Sequence, residues 1–344
     1  MINIDGIEIT PLLDTLKLQK IDDEIYFSTP YKKYVSNSRL SLLFDNEGNP
    51  TPDKFFEGFK SGYNSSFTLG SRTHELILQP DLFELVEIPE KPSAKLGAVA
   101  DELYPIYKET QADPTKEQII EACQKIDYYS KSLTDNKINT VLESSRPYWQ
   151  KRYEHESNYT GTKTVQYEDS KTCETVFGCV NAVNNNKYHQ SLLHPKGLLE
   201  DPISECEQAI LIDMEVKVPN CDPVIIRFKS KVDNYTIDKE NNVITVNDLK
   251  TIGRIVSEFE GNFQRFAYYR ELSIYCWLLS MCAKKFYGMN NPTMKSNCLV
   301  VSTIPGHYTK TYKVTREDFV KGWNEFKERI KYIAKYITEG YEFK

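Results

Sequence analysis

Two runs of alternating apolar and polar residues stand out, 224–238 (VIIRFKSKVDNYTID) and 243–251 (VITVNDLKT), separated by the polar stretch Lys239-Glu240-Asn241-Asn242. Both runs are rich in β-branched and aromatic side chains, which favour strands, and the residues between them favour a turn, so an antiparallel hairpin is expected. Residues 209–218 read as a strand before it. Residues 259–285 have the length and apolar recurrence of a helix, and 297–304 (NCLVVSTI) form an apolar strand bounded by Pro305-Gly306. Thr315, with Asp318 three residues on, is placed to cap a last helix that runs to about Ile337. Upstream, 70–79 read as a short helix stopped before Pro80. Residues 94–153 are largely helical in pattern, with a break and fresh start at Asp113-Pro114-Thr115.

The register of the hairpin brings chemistry into this picture. If the four-residue loop closes symmetrically, facing residues sum to 481 and Asp233 lies opposite Asp248, with Cβ atoms about 4.5–5.5 Å apart. Side chains alternate along a strand, so Lys250 shares a face with Asp248 while Leu249 points into apolar packing. Two carboxylates facing each other destabilise a sheet unless a cation compensates. Mg²⁺, which takes one or two carboxylates together with water and substrate phosphate, suits that position. Lys250 cannot ligate a metal, but beside one it can orient a water or hold a phosphate. His74 lies on the short helix Gly70-Ser71-Arg72-Thr73-His74, and a neutral imidazole is a ligand.

Taken together, these segments resemble the PD-(D/E)xK nuclease superfamily, and within it the exonuclease VIII type of phage recombination nuclease. The resemblance rests on Gly70, His74, Leu78 and Pro80, then Asp233, then Asp248-Leu249-Lys250-Thr251, then Tyr268, Glu271 and Tyr275. It covers mainly residues 68–80 and 205–303. Glu271 stands where the family usually carries Gln. Ser36-Asn37-Ser38-Arg39-Leu40 is similar to the segment that precedes the histidine helix in such proteins. On one helix, positions 268, 271 and 275 share a face, so Tyr268, Glu271 and Tyr275 can line one cleft. Related nucleases often place a further acid before the core strands. Glu205 and Glu207 are the candidates, and Glu207 is the choice.

The resemblance implies a mixed α/β fold with a PD-(D/E)xK nuclease core, a central mixed sheet flanked by helices and a large helical insertion. The domain reading is an N-terminal entry segment at 1–67, a nuclease core with its C-terminal helix at 68–80 and 205–344, and a largely helical insertion at 81–204. The implied activity is Mg²⁺-dependent hydrolysis of DNA, with Mn²⁺ able to substitute, by a double-strand exonuclease that works from ends beside a single-strand annealing protein. His74, Asp233, Asp248 and the Leu249 carbonyl would ligate metal, and Lys250 would position the attacking water. An endonuclease or repair nuclease on the same core, or a noncatalytic DNA-binding phage protein, are the alternatives. Related exonucleases form rings that enclose DNA, which leaves a homo-oligomer open.

Composition narrows these readings. The chain of 344 residues is 40% hydrophobic, enough for a substantial core in one elaborated domain or two. There is no membrane-length apolar run and no signal peptide, so a cytoplasmic setting is expected, the host cytoplasm if the chain is phage-encoded. Eight cysteines lie scattered with no Cys-x-x-Cys pair, which argues for reduced structural thiols. No Gly-x-x-x-x-Gly-Lys-Ser/Thr phosphate loop and no Gly-x-Ser-x-Gly elbow occurs. A net charge of −6 argues against clinging to nucleic acid over the whole surface and for a narrow, local DNA path. Lys229, Lys231, Lys250, Arg254, Arg265 and Arg270 are the candidates to line it. Arg146, Lys151 and Arg152, with Tyr148, Trp149 and Tyr153, form either a DNA-touching surface or a half-buried helix face.

Overall fold

The computed structural model describes residues 2–4, 6–59, 65–129, 133–195 and 203–344. Strands β1 (Ile2–Ile4) and β2 (Ile7–Lys20) form a hairpin whose second arm lies along the core of the sheet. Four short helices follow: α1 (Asp23–Tyr26), α2 (Thr29–Lys32), α3 (Asn37–Leu40) and α4 (Pro52–Glu57). Helix α5 (Ser65–Leu78) carries His74. The segment after it holds β3 (Phe83–Glu87), α6 (Ala94–Thr110), α7 (Lys116–Lys125), α8 (Asp135–Asn158), β4 (Thr164–Glu168), α9 (Ser170–Asn185) and α10 (Lys187–Leu193). The core strands β5 (Ile203–Lys217), β6 (Val224–Asp238) and β7 (Val243–Ile252) come next, then α11 (Phe259–Arg265), α12 (Tyr268–Tyr287), β8 (Thr293–Ser302), β9 (Thr309–Lys313) and α13 (Arg316–Thr338).

The expected hairpin is β6–β7, within a residue of the expected bounds. It sits in a seven-stranded sheet of order β1-β2-β5-β6-β7-β8-β9, in which β7 and β8 are parallel and every other neighbouring pair is antiparallel. A parallel pair needs a crossover, and α12 supplies it. The fold is therefore mixed α/β, a central and mostly antiparallel sheet flanked by helices.

Both faces of the sheet are covered, and the alternation of side chains decides which residue meets which layer. Along β7 and β8, Ile244, Val246, Cys298 and Val300 join the main core beneath α12 and α13, with Leu272, Leu279, Phe326 and Ile330. The odd positions Leu249, Leu299 and Val301 pack on the other face against Ile77 and Leu78 of α5, Cys179 and Val183 of α9 and Leu193 of α10. Asp248 and Lys250 thus point toward α12, and Leu249 toward the histidine helix.

Two sequence expectations are refined. The helix expected over 259–285 is broken into α11 and α12, because Ala267 adopts a left-handed backbone with φ 52°. The region 81–204 is not helical throughout: β3 and β4 pair in parallel as a separate two-stranded sheet. Its helices α6, α7 and α8 enclose a core of their own around Val99, Leu103, Ile119, Tyr148 and Trp149.

Candidate metal centre

Asp233 stands where the sheet opens. The pairing of β6 with β7 follows the predicted sum of 481 from Asn234–Asn247 to Asp238–Val243 and ends one pair short of Asp233 and Asp248. In place of that ladder step, the Leu249 amide donates to the Asp233 carboxylate at 2.8 Å. On the other side, the pairing of β5 with β6 skips the position where Glu207 faces Asp233, and Glu207 has a left-handed backbone with φ 54°. Left-handed backbone at a residue with a side chain is uncommon and concentrates at functional sites. The disturbance shows in burial too. Ile226, Phe228 and Val232 enter the main core, and beyond Asp233 it is Tyr235 and Ile237 that do, so the inward positions change from even to odd across the acid.

Helix α5 closes the site from the other face. Gly70 lets the helix approach β7 closely, since a Cβ at this position would lie 3.3 Å from the Thr251 hydroxyl, tighter than ordinary contact. One turn on, the His74 Nδ1 lies 3.7 Å from the Asp233 carboxylate. His74, Glu207 and Asp233, from three separate elements, bring one ligand atom each within 4.8 Å of one another. The expected acid at 207 therefore joins the histidine and the first aspartate.

Asp248 is fully buried, and its Oδ1 accepts from the Lys250 ammonium at 2.8 Å. It lies outside that three-residue group but close enough for its charge to be felt. Burial pushes its pKa well above the usual carboxylate range, Asp233 and Glu271 add to the shift, and Lys250 opposes it. Burial also disfavours the charged form of Lys250, but Asp248, Glu271 and Asp233 outweigh it and raise its pKa. The ammonium is thus held charged. Burial lowers the pKa of His74 despite the nearby Asp233, which keeps the imidazole neutral and able to ligate. The Glu207 carboxyl is pushed up to about 7 by burial and by Asp233, against the pull of Lys231.

Of the three α12 residues expected to line one cleft, Tyr268 is among the residues that line it, while Glu271 and Tyr275 are not and instead gather around Lys250. Glu271 Oε2 is 3.5 Å from the Lys250 ammonium, the Tyr275 hydroxyl donates to Glu271 Oε1 at 3.0 Å, and the Tyr268 ring centroid lies 4.9 Å from Lys250 Nζ. His74, Glu207, Asp233, Lys250 and Tyr268 share a cleft of about 460 Å³ with Gly70, Thr251 and Asp23. One imidazole nitrogen with carboxylate oxygens is a donor set compatible with Mg²⁺ or Mn²⁺.

Several of the expected cationic residues have other work. Arg270 is buried and bonds Asn37, Ser41 and Glu325, so it ties α12 to α3 and α13 and lines no groove. Asn37 belongs to the entry segment, which explains why that stretch is needed. Lys229 donates to the Tyr26 carbonyl and lies over the Tyr26 ring. Lys231 faces the cleft acids, 3.0 Å from Glu207 and 2.6 Å from Asp23. Asp23 was not foreseen, since it stands in an unremarkable acidic stretch and only the packing of α1 against β6 brings it near. On α8, Trp149 and Tyr148 are fully buried and Arg152 pairs with Asp101 and Glu156, the half-buried helix face of the two readings.

No family model and no curated protein matches this chain. Among solved structures, the chain is similar to a crystal structure of a Eubacterium rectale protein provisionally named an exonuclease, with 9% identity and a TM-score of 0.45 over 92% of this chain and 85% of that one.

Proposed function

We propose that this chain is a divalent-metal-dependent nuclease that hydrolyses DNA phosphodiester bonds. The observation that carries the reading is the convergence of His74, Glu207 and Asp233, with ligand atoms within 4.8 Å, in the same cleft as Lys250, whose ammonium pairs with the buried Asp248. Three ligand types distant in sequence, a charged lysine beside them and two broken strand pairings at one acid form an arrangement that costs stability and needs a purpose.

His74, Glu207 and Asp233, with Asp248 beside them, would hold Mg²⁺, or Mn²⁺ in its place. Once bound, the ion would stabilise charge on the phosphoryl oxygens and acidify a water. Lys250 supplies a fixed positive charge at the cleft wall, suited to holding the scissile phosphate or orienting the attacking water. His74, being neutral, adds no charge that would repel the cation. The cleft acids would repel phosphate and a bound cation would offset them, so metal should strengthen substrate binding.

Within this reading the finer expectation is a double-strand exonuclease of phage recombination, active in the host cytoplasm and passing a 3′ single strand to an annealing protein. Incubation with Mg²⁺ and either end-labelled linear duplex or closed circular duplex tests it, with Asp233→Asn and Lys250→Ala beside the unaltered chain. Linear DNA should be degraded from its ends, circles spared, and both variants should lose at least about a hundredfold in rate. Cutting of closed circles would redirect the assignment to an endonuclease. Equal hydrolysis by all three proteins, or none by any, would overturn the nuclease reading.

A further inference from the structure

Lys250 has two carboxylate partners on different elements. Asp248, two residues away on β7, is the nearer at 2.8 Å, and Glu271 on α12 is at 3.5 Å. Asp248 is also the acid that borders the metal-binding residues, so its oxygens have two claimants. When a cation takes them, the lysine loses its closest partner. A flexible four-carbon chain with a strongly hydrated head then has no reason to stay in place unless something else holds it.

Helix α12 provides that hold. Glu271 is only partly exposed, with 18% of its side chain accessible, and its other oxygen accepts from the Tyr275 hydroxyl at 3.0 Å. Tyr275 is buried, so the bond that orients the carboxylate is sheltered from water. One turn earlier on the same face, the Tyr268 ring lies 4.9 Å from the ammonium, within cation–π range. Glu271 thus meets the lysine with one oxygen while a buried phenol fixes the other, an acid where the resemblance expects an amide. A charged acceptor holds an ammonium more strongly than an amide does.

Resting on the nuclease reading, we propose that Glu271, oriented by Tyr275, is a positioning residue that keeps Lys250 aimed into the cleft once Asp248 turns its oxygens to a divalent cation. Lys250 passes from a shared hold to a hold by α12 alone, without leaving the site.

The test uses the full chain, Mn²⁺ alone as the probe, and labelling of Lys250 by an amine-reactive ester read by peptide mass spectrometry. In the unaltered protein, labelling of Lys250 should change less than about twofold when Mn²⁺ is added. In Glu271→Ala it should stay low without Mn²⁺, where Asp248 still holds the amine, and rise about tenfold with Mn²⁺, as expected for losing a partly buried charge partner. Glu271→Gln, which keeps an acceptor and is the safer fold, should lie between, with DNA hydrolysis partly restored relative to Glu271→Ala. Tyr275→Phe should follow Glu271→Gln. Labelling in Glu271→Ala that is unchanged by Mn²⁺, or raised equally without it, overturns the proposal while leaving the nuclease reading intact. Failure of the unaltered chain to bind Mn²⁺, by calorimetry, overturns both.

Discussion

Glu207 combines a left-handed backbone, an ammonium at 3.0 Å and a carboxyl pushed up to about 7 by burial and by Asp233. Since the ordinary value is 4.5, the folded state holds this proton more tightly than the unfolded chain does. The stability it contributes is complete below about pH 4.5 and is lost as pH rises through about 7, on the order of 3 kcal/mol. Metal-free protein should therefore weaken from pH 5 to pH 8 in urea unfolding, and Glu207→Gln should flatten much of that slope. A slope unchanged in the variant would remove Glu207 as its source. The same proton competes with a cation, so Mn²⁺ should bind more tightly at pH 8 than at pH 6, and the difference should shrink in the variant. Asp233, Asp248 and Lys250 were legible because strand alternation and a symmetric turn fix their relative places from local sequence, whereas Glu207 was legible only through the resemblance. Asp23 and the Lys231 contact were not, because they depend on how a four-residue helix packs against a strand about two hundred positions away.

Elements were read well where a pattern is local and less well where two elements negotiate a contact. Both strands of the β6–β7 hairpin were legible from alternation, and the register held for every ladder pair. What the pattern could not carry is the change from even to odd inward positions at Asp233, since both neighbouring strands cause it. The same division separates two substitutions on α13. Thr315 caps that helix, accepting from the Asp318 amide while its own amide and hydroxyl donate to the Asp318 carboxylate, a reciprocal box readable from sequence. Thr315→Ala should cost about 1 kcal/mol and leave hydrolysis unchanged, because the cap touches no cleft residue. Gly322 has no local signal at all. A Cβ there would lie 2.4 Å from both the Tyr269 carbonyl and the Ser273 hydroxyl, and 2.8 Å from the Arg270 Cα. Backbone cannot yield as a side-chain tip can, so Gly322→Ala should push α13 from α12 and cost about 1–3 kcal/mol. Because α12 carries Tyr268, Glu271 and Tyr275, hydrolysis should fall as well, measured beside thermal unfolding of both variants. Full activity in Gly322→Ala would mean the cleft tolerates a shift of α12.

At the scale of the whole molecule, the segment between α5 and β5 meets the core through apolar packing of α9 and α10 and through one buried acid. Glu168, at the end of β4, is buried and receives Arg72 of α5 at 2.8 Å and Lys91 at 2.8 Å. Arg72 also bonds Glu75 at 3.0 Å, and Glu75 lines the cleft next to His74. Lys91 also pairs with Asp101 at 2.9 Å, so removing the central charge leaves each cation with one remaining acid. Helices α6, α7 and α8 also have a core of their own, distinct from the main one, so they can loosen before the sheet does. Glu168→Gln keeps shape and removes charge, and it should cost about 1–3 kcal/mol. Under limited proteolysis, cleavage should begin within residues 81–195 while fragments spanning 203–344 persist. Hydrolysis should weaken in parallel, because Arg72 then pairs only within α5 and no longer ties that helix to β4. First cleavage in the core strands would show that this segment is held by its apolar packing and that the Arg72–Glu168–Lys91 network does not join it to the site.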